Sequence, residues 1–216
     1  MASNVKTLKG SALWAKVFEG QQEKFDNNSR KFVKDQEGDF SISLVVSEIE
    51  AAEMCEHLEG VGNEQFQAQV KRDPKMKNAL STRHSFDTEY DDNGDPTGNL
   101  VFKFKAKART KEGLKRRVMV VDAKRKPMDK LGIEIGNGSQ VNIAFNPTAN
   151  YVAAQKTIYV TLYLSAVQVI ELKEYTPSNS PFEEEDGYIA KAVEKDNSSE
   201  VPFEEESADV AVEGDF

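Results

Sequence analysis

Two stretches of the chain alternate between apolar and polar residues with a period of two. Phe40, Ile42 and Leu44 alternate with polar neighbours across Asp39–Val46, and Val101–Arg109 reads VFKFKAKAR. Such alternation predicts strands with one face buried. Further strands are predicted at Leu13–Phe18, Lys115–Val121, Gln140–Phe145 and Thr157–Leu172, the last with Ile158, Val160, Leu162, Leu164 and Ala166 on one side. Between the first two strands lies the polar run QQEKFDNNSRKFVKDQEG (21–38), which shows no strand pattern.

Ser47-Glu48-Ile49-Glu50 forms a capping box, so a helix is predicted from Glu48. Its apolar stripe reads Ile49, Ala52, Cys55 and Leu58, weakens at Gly60 and Gly62, and resumes through Phe66 and Val70 before Pro74, which allows a kink. Five or six strands with one main helix predict a mainly β, α+β domain, for which a small Greek-key barrel is the simplest closure.

Charge divides the chain. The net charge is −9, yet residues 177–216 alone carry −11, which leaves residues 1–176 at +2. The domain division predicted is therefore a folded body over 1–176 and a disordered acidic tail over 177–216, rich in Pro, Ser and Asn and without apolar periodicity. Inside the tail, PFEEE at 181–185 recurs at 202–206.

Within the body the cations are clustered. In the 101–109 strand Phe102, Phe104, Ala106 and Ala108 share one face while Lys103, Lys105, Lys107 and Arg109 share the other. Alternate residues of a strand lie ~6.5–7 Å apart, a spacing suited to tracking the phosphates of an extended single strand. The same row also suits a solvated face whose lysines discourage edge aggregation. Lys115, Arg116, Arg117, Lys124, Arg125 and Lys126 follow closely, and a hairpin returning Lys115–Val121 to the preceding strand would frame a basic groove.

A single-strand binder also needs aromatic platforms, because bases stack on them whatever the sequence. The candidates are Trp14, Tyr151, Tyr159 and Tyr163, with Phe18, Phe25 and Phe32 besides. Each is either a core residue or a platform. Phe40, Phe66, Phe102, Phe104 and Phe145 are assigned to the core.

Enzymatic signatures are missing. Asp91-Asp92-Asn93-Gly94-Asp95 has calcium-loop spacing, but Pro96 stands where the glycine belongs and Phe102 where the glutamate does. Gly136-Asn137-Gly138-Ser139 lacks the lysine of a phosphate-binding loop and reads as a turn. One cysteine, Cys55, and two histidines, His57 and His84, are too few for a structural zinc site, and no cofactor motif is present. No apolar run approaches the ~18 residues of a membrane span, so a soluble intracellular protein is expected. Two competing readings remain: an acidic DNA mimic or chaperone that sequesters a basic partner, and a magnesium-dependent nuclease drawing on Asp39, Asp87, Asp91, Asp92, Asp95 or Asp122.

Four segments in order carry a resemblance: DDNGDPTGNLVFKFKAKA (91–108), VMVVDAKRKPM (118–128) with IGNGSQVNI (135–143), VTLYLSAVQVIEL (160–172), and the terminal EGDF (213–216). Together they resemble the single-stranded DNA-binding proteins of tailed bacteriophages related to the helix-destabilising protein of short-tailed coliphages. The first 90 residues match only loosely. The resemblance implies an OB-fold body, a five-stranded Greek-key barrel that coats single-stranded DNA in phage replication, recombination and repair within the host cytoplasm. It also implies an acidic tail whose Glu213, Asp215 and Phe216 engage replication proteins such as DNA polymerase and helicase-primase, and it points to a homodimer.

Overall fold

The computed structural model describes residues 5–128 and 133–174; the acidic tail, with Glu213, Asp215 and Phe216, lies outside the described residues. The body is mostly β with one long helix. In chain order its strands are β1 (Lys6–Lys16), β2 (Glu23–Asp26), β3 (Lys31–Lys34), β4 (Asp39–Ser47), β5 (Ser81–His84), β6 (Phe86–Tyr90), β7 (Pro96–Lys107), β8 (Met119–Val121), β9 (Gln140–Val152) and β10 (Thr157–Glu171). Helix α1 (Glu48–Arg72) follows β4.

Five pairings run in a circuit. β1 pairs antiparallel with β4, β4 with β7, β7 parallel with β10, and β10 antiparallel with β9, which pairs back to β1. The inward residues of these strands meet in one core that includes Phe40, Ile42, Leu44, Phe102, Phe104, Phe145 and Leu162, all but sealed from solvent. Each such side chain contributes about 1.5–3 kcal/mol relative to leaving it exposed. Phe104 and Phe145 meet edge to face, with ring centroids 4.9 Å apart.

β4, and β7 from Phe102 onward, keep the period that the sequence predicts, with a buried residue at every second position. β10 does not. A bulge between Leu164 and Ala166 shifts its phase, so Val167 and Val169 take over the buried face and Ala166 is only half-buried. Lys115–Val121 is not a full hairpin strand. Only Met119–Val121 forms a strand, and it lies parallel to Ala166–Gln168 of β10, while the excursion before it closes on itself just past the end of β7 through a single Arg109–Lys115 bridge.

Helix α1 is capped as expected at Ser47, whose hydroxyl oxygen accepts from the Glu50 amide at 3.3 Å. The Glu50 carboxylate accepts in turn from that hydroxyl at 2.8 Å rather than from the Ser47 amide. Its buried residues are Ala51, Leu58 and Gly62; of the predicted stripe Leu58 is buried and Cys55 half-buried against the core, whereas Ala52 is exposed and Ile49 is 91% exposed. Ser47 is still paired with Asn99 in the sheet, and Ala51, four residues on, is buried against the sheet core. The helix runs through both glycines. At Gly62 a Cβ would stand 3.0 Å from Thr82 and 3.2 Å from Val160, so the missing side chain lets helix and sheet approach closely. Phe66 is half-buried rather than a core residue.

The polar run 21–38 holds an element that its pattern does not predict, the β2–β3 hairpin, none of whose residues is buried. β5 and β6 are also additions to the predicted set. They flank β10 and β7, with Thr157–Val160 beside Ser81–His84 and Phe86 opposite Phe102.

Candidate nucleic-acid interface

The outward residues of β7 are Lys103, Lys105 and Lys107, all exposed above the buried Phe102, Phe104 and Ala106. Pairing sets what lies beside them. Lys105 is opposite Ser41 of β4, Ser41 is opposite Lys16 of β1, and on the other side Lys105 is matched with Tyr163 of β10. Paired residues share a face, so Tyr163, Lys105, Ser41 and Lys16 form one line across four strands, ~14 Å from end to end at the usual strand spacing. Tyr163 is 38% exposed. Farther along the same face of β10, Tyr159 is matched with the exposed Arg83 of β5.

The cations are only loosely engaged. Lys103 Nζ lies 2.7 Å from Asp87, Lys107 4.0 Å from Asp39, and Lys16 2.5 Å from Glu23. Exposed pairs of this kind contribute about 0–1 kcal/mol and yield readily to an incoming phosphate. Lys105 has no acidic partner among the described residues.

The remaining basic residues lie in two loops. In the first, Arg109 Nη1 donates to the Gly113 carbonyl at 2.9 Å, holding a tight turn, and Glu19 receives both Lys115 at 3.6 Å and Arg117 at 3.1 Å. Arg116 is exposed, and its amide donates to the Ala108 carbonyl at 2.7 Å, which ties the loop to the end of the basic strand. In the second, Lys124, Arg125 and Lys126 project from a turn whose carboxylate, Asp122, accepts from the amides of Lys124 and Lys126 at 2.8 Å each. The Ala123 carbonyl accepts from Gln168 of β10, fixing this turn beside the far part of that strand.

The aromatics separate into four groups. Tyr159 and Tyr163 share the outward face of β10, with the Tyr159 hydroxyl donating to Gln155. Tyr151 is paired with the buried Ile158 and so lies on the opposite face of the sheet from them. Phe18 is half-buried against the core, in a cavity of about 470 Å³ that it shares with Phe40, Arg117 and Val120.

Trp14 is the fourth case. It is 64% exposed and held in the left-handed region at φ +48°, where β1 breaks register between Leu13 and Lys16. Its amide donates to Asn137 Oδ1 at 2.8 Å, and that asparagine sits in the Gly136–Ser139 turn, which also bonds β1 at Ala12. A bulky residue in this conformation costs of order 1–3 kcal/mol, here spent to present an indole to solvent.

Asp91, singled out for its calcium-loop spacing, closes the β6–β7 turn, accepting from the amides of Asn93 and Asp95 at 2.9 Å each. The Asp95 amide above all, with the neighbouring amides, holds its carboxyl below the usual carboxylate value. Among the described residues no helix is long and apolar enough to cross a membrane.

No protein-family model matches this chain, and no curated protein does. Solved structures do. The chain is similar to gp2.5, a single-stranded DNA-binding protein encoded by bacteriophage T7, with a TM-score of 0.60 and 21% identity over 87% of this chain and 98% of that one. The fold is that of the phage single-stranded DNA-binding proteins. Two structures of the single-stranded DNA-binding protein from bacteriophage Enc34, one a C-terminal truncation and one in complex with single-stranded DNA, share this fold at a TM-score of 0.52 and 13% identity. They cover 80% of this chain and 88% and 89% of their own lengths.

On this fold two further cations, Arg83 and Lys16, join the candidate face without a signal in the local sequence pattern. Arg83 sits in a four-residue strand too short to show a period, and Lys16 joins the basic line only after the bulge at Trp14.

Proposed function

We propose that this protein coats and protects single-stranded DNA in phage DNA replication, recombination and repair, acting by binding rather than by catalysis. The observation that carries the reading is the line of Tyr163, Lys105, Ser41 and Lys16 across four outward-facing strands. In such a line the lysines take phosphates while the ring takes a base. The circuit β1–β4–β7–β10–β9 follows the strand order of an OB barrel, whose second and third strands, here β4 and β7, form the usual oligonucleotide surface. The structural likeness to phage proteins that bind single-stranded DNA supports the same conclusion.

In this reading residues 1–176 form the binding body, and Lys103, Lys107, Arg116, Lys124, Arg125 and Lys126 extend its basic surface. Residues 177–216 are an internal polyanion that competes with DNA for it. Exposed charges are screened over ~8 Å at physiological salt, so the competition fades as salt rises. DNA binding then frees Glu213, Asp215 and Phe216 for replication proteins such as DNA polymerase and helicase-primase, or for a second copy in a homodimer.

The test is fluorescence anisotropy of labelled oligo-dT with the full chain and with residues 1–176, at low and moderate salt. Tighter binding by the shorter form at low salt, with the gap closing as salt rises, is the expected result. Because Trp14 is the single tryptophan, its emission reports directly whether a base reaches it. Failure of both forms to bind oligo-dT would overturn the reading.

A further inference from the structure

The β2–β3 hairpin has the chemistry of a nucleic-acid site and no structural need for it. Phe25 and Phe32 are directly paired across its strands, 47% and 68% exposed, with ring centroids 5.3 Å apart at an interplanar angle of 69°. No residue of either strand is buried, so the rings support no core. The turn is nevertheless shaped: Asp26 accepts from the amides of Asn28 and Ser29 at 3.1 Å each, and Arg30 adopts φ +51°. Its base is fixed as well, through the Glu23–Asp39 pairing and the Asp35 amide, which donates to the Gln22 carbonyl at 2.9 Å.

The hairpin faces the candidate interface. Lys34 is paired with Glu23, two residues along from the Phe25–Phe32 pair, and therefore shares its face. Lys34 also lines a cavity of about 340 Å³ together with Trp14, Lys16, Gln21 and Asn137. Trp14, Lys34 and the two phenylalanines thus form one run of surface in which rings alternate with a cation. Two acids line the same cavity, Glu23, paired with Lys16, and Glu134, which accepts from Gln21 at 3.1 Å. Arg30, Lys31 and Lys34 have no acidic partner among the described residues.

We propose that the β2–β3 hairpin is an aromatic arm that carries the single-stranded DNA track from Trp14 outward, with unpaired bases stacking on Phe25 and Phe32 and Lys34 holding the phosphate between them. This rests on the single-stranded DNA-binding reading above. A protein partner fits the surface less well, since interface cores are depleted of lysine whereas here cations are interspersed with the rings. The arm makes affinity depend on oligonucleotide length beyond what the barrel face covers.

The experiment compares the full-length chain with its Phe25→Ala/Phe32→Ala variant, using oligo-dT of about 5 and about 16 nucleotides, the range that single OB folds cover. The expected result is a loss of at least about tenfold on the longer strand and less than about twofold on the shorter one. Phe25→Tyr/Phe32→Tyr keeps the platforms and is expected to bind the longer strand like the parent, and Lys34→Glu tests the same track if the double alanine variant does not fold. Unchanged binding of the longer strand by the double alanine variant, or by Lys34→Glu in its place, overturns the arm, as does an equal loss on both lengths. So does a sedimentation shift showing that the alanines abolish self-association while leaving DNA affinity intact. If the parent chain binds neither oligonucleotide, the DNA-binding reading itself fails, a result distinct from all of these.

Discussion

β7 and the β2–β3 hairpin use the same two ingredients, phenylalanine and lysine, in opposite ways. On β7 the rings of Phe102 and Phe104 point inward and Lys103, Lys105 and Lys107 point out, because a core lies behind that strand. The hairpin has nothing behind it, so Phe25 and Phe32 stand on its surface beside Lys34. The role of an aromatic residue is therefore decided by what backs the strand rather than by residue type. A core strand can offer a ligand only the half of its side chains that the core leaves over.

The largest effect that tests this contrast is on stability. Phe104→Ala, at a sealed site packed on Phe145, is expected to cost about 3–5 kcal/mol, whereas Phe32→Ala is expected to stay within about 0.5 kcal/mol. Urea unfolding midpoints measure both, and comparable losses would break the comparison.

Next comes Trp14→Gly, which relieves the left-handed backbone while removing the ring. Stability is expected to hold or rise, while oligo-dT binding weakens by about 1–3 kcal/mol, the contribution of one stacked base. Anisotropy and thermal unfolding on the same variant separate the two effects.

For the basic line, Lys105→Glu is expected to weaken binding more than Lys103→Glu, because Lys105 sits beside Tyr163 and has no acidic partner among the described residues, whereas Lys103 already faces Asp87. Each lost phosphate contact lowers the salt slope of binding by ~0.7. Equal slopes in the parent and in both variants would place the phosphates elsewhere.

The smallest effects are those of pH, and they also distinguish the two regions. Burial against α1 and Phe86 lowers the pKa of His84, with Glu59 opposing. The unfolded chain therefore binds the proton more readily. The body's stability from this group is complete above the ordinary value of 6.5 and declines as pH falls below it. In the hairpin, the Ser29 side chain and the amides of Asn28 and Ser29 lower the pKa of Asp26. That contribution is present above the ordinary 3.8 and is lost only as pH falls through the lower folded value. Protection of the Asn28 and Ser29 amides, taken relative to the intrinsic exchange rate at each pH, is thus expected to hold steady through the window in which the unfolding midpoint of the body begins to drop.

Much of the sheet was legible in the chain. Period-two alternation located β4 and β7 and sorted Lys103, Lys105 and Lys107 from Phe102 and Phe104, because burial of one face leaves a local record. The capping box located the start of α1. The stripe that followed was misplaced by the exposed Ile49, since a helix pattern does not say how the helix leaves its sheet. β2, β3 and β5 escaped notice for a related reason: strands of four residues without a buried face have no period to show. The basic residues of 109–126 were legible as a cluster, but their arrangement was not, because the predicted hairpin shrank to one bridge and Val120 paired with β10 instead.

By itself the sequence determined that β4 and β7 would be half-buried, that the outward face of β7 would carry cations, where the helix would begin, and that negative charge would gather in the last forty residues. These follow from burial and charge, which act residue by residue. Only the tertiary structure decided that Tyr163 stands beside Lys105, that Ser41 links it to Lys16, that Tyr151 is turned away from Tyr159, and that Asn137 pins Trp14 in a strained, exposed pose. Those neighbours lie far apart in the chain and meet through strand partner and register, which are settled by closing the whole core at once.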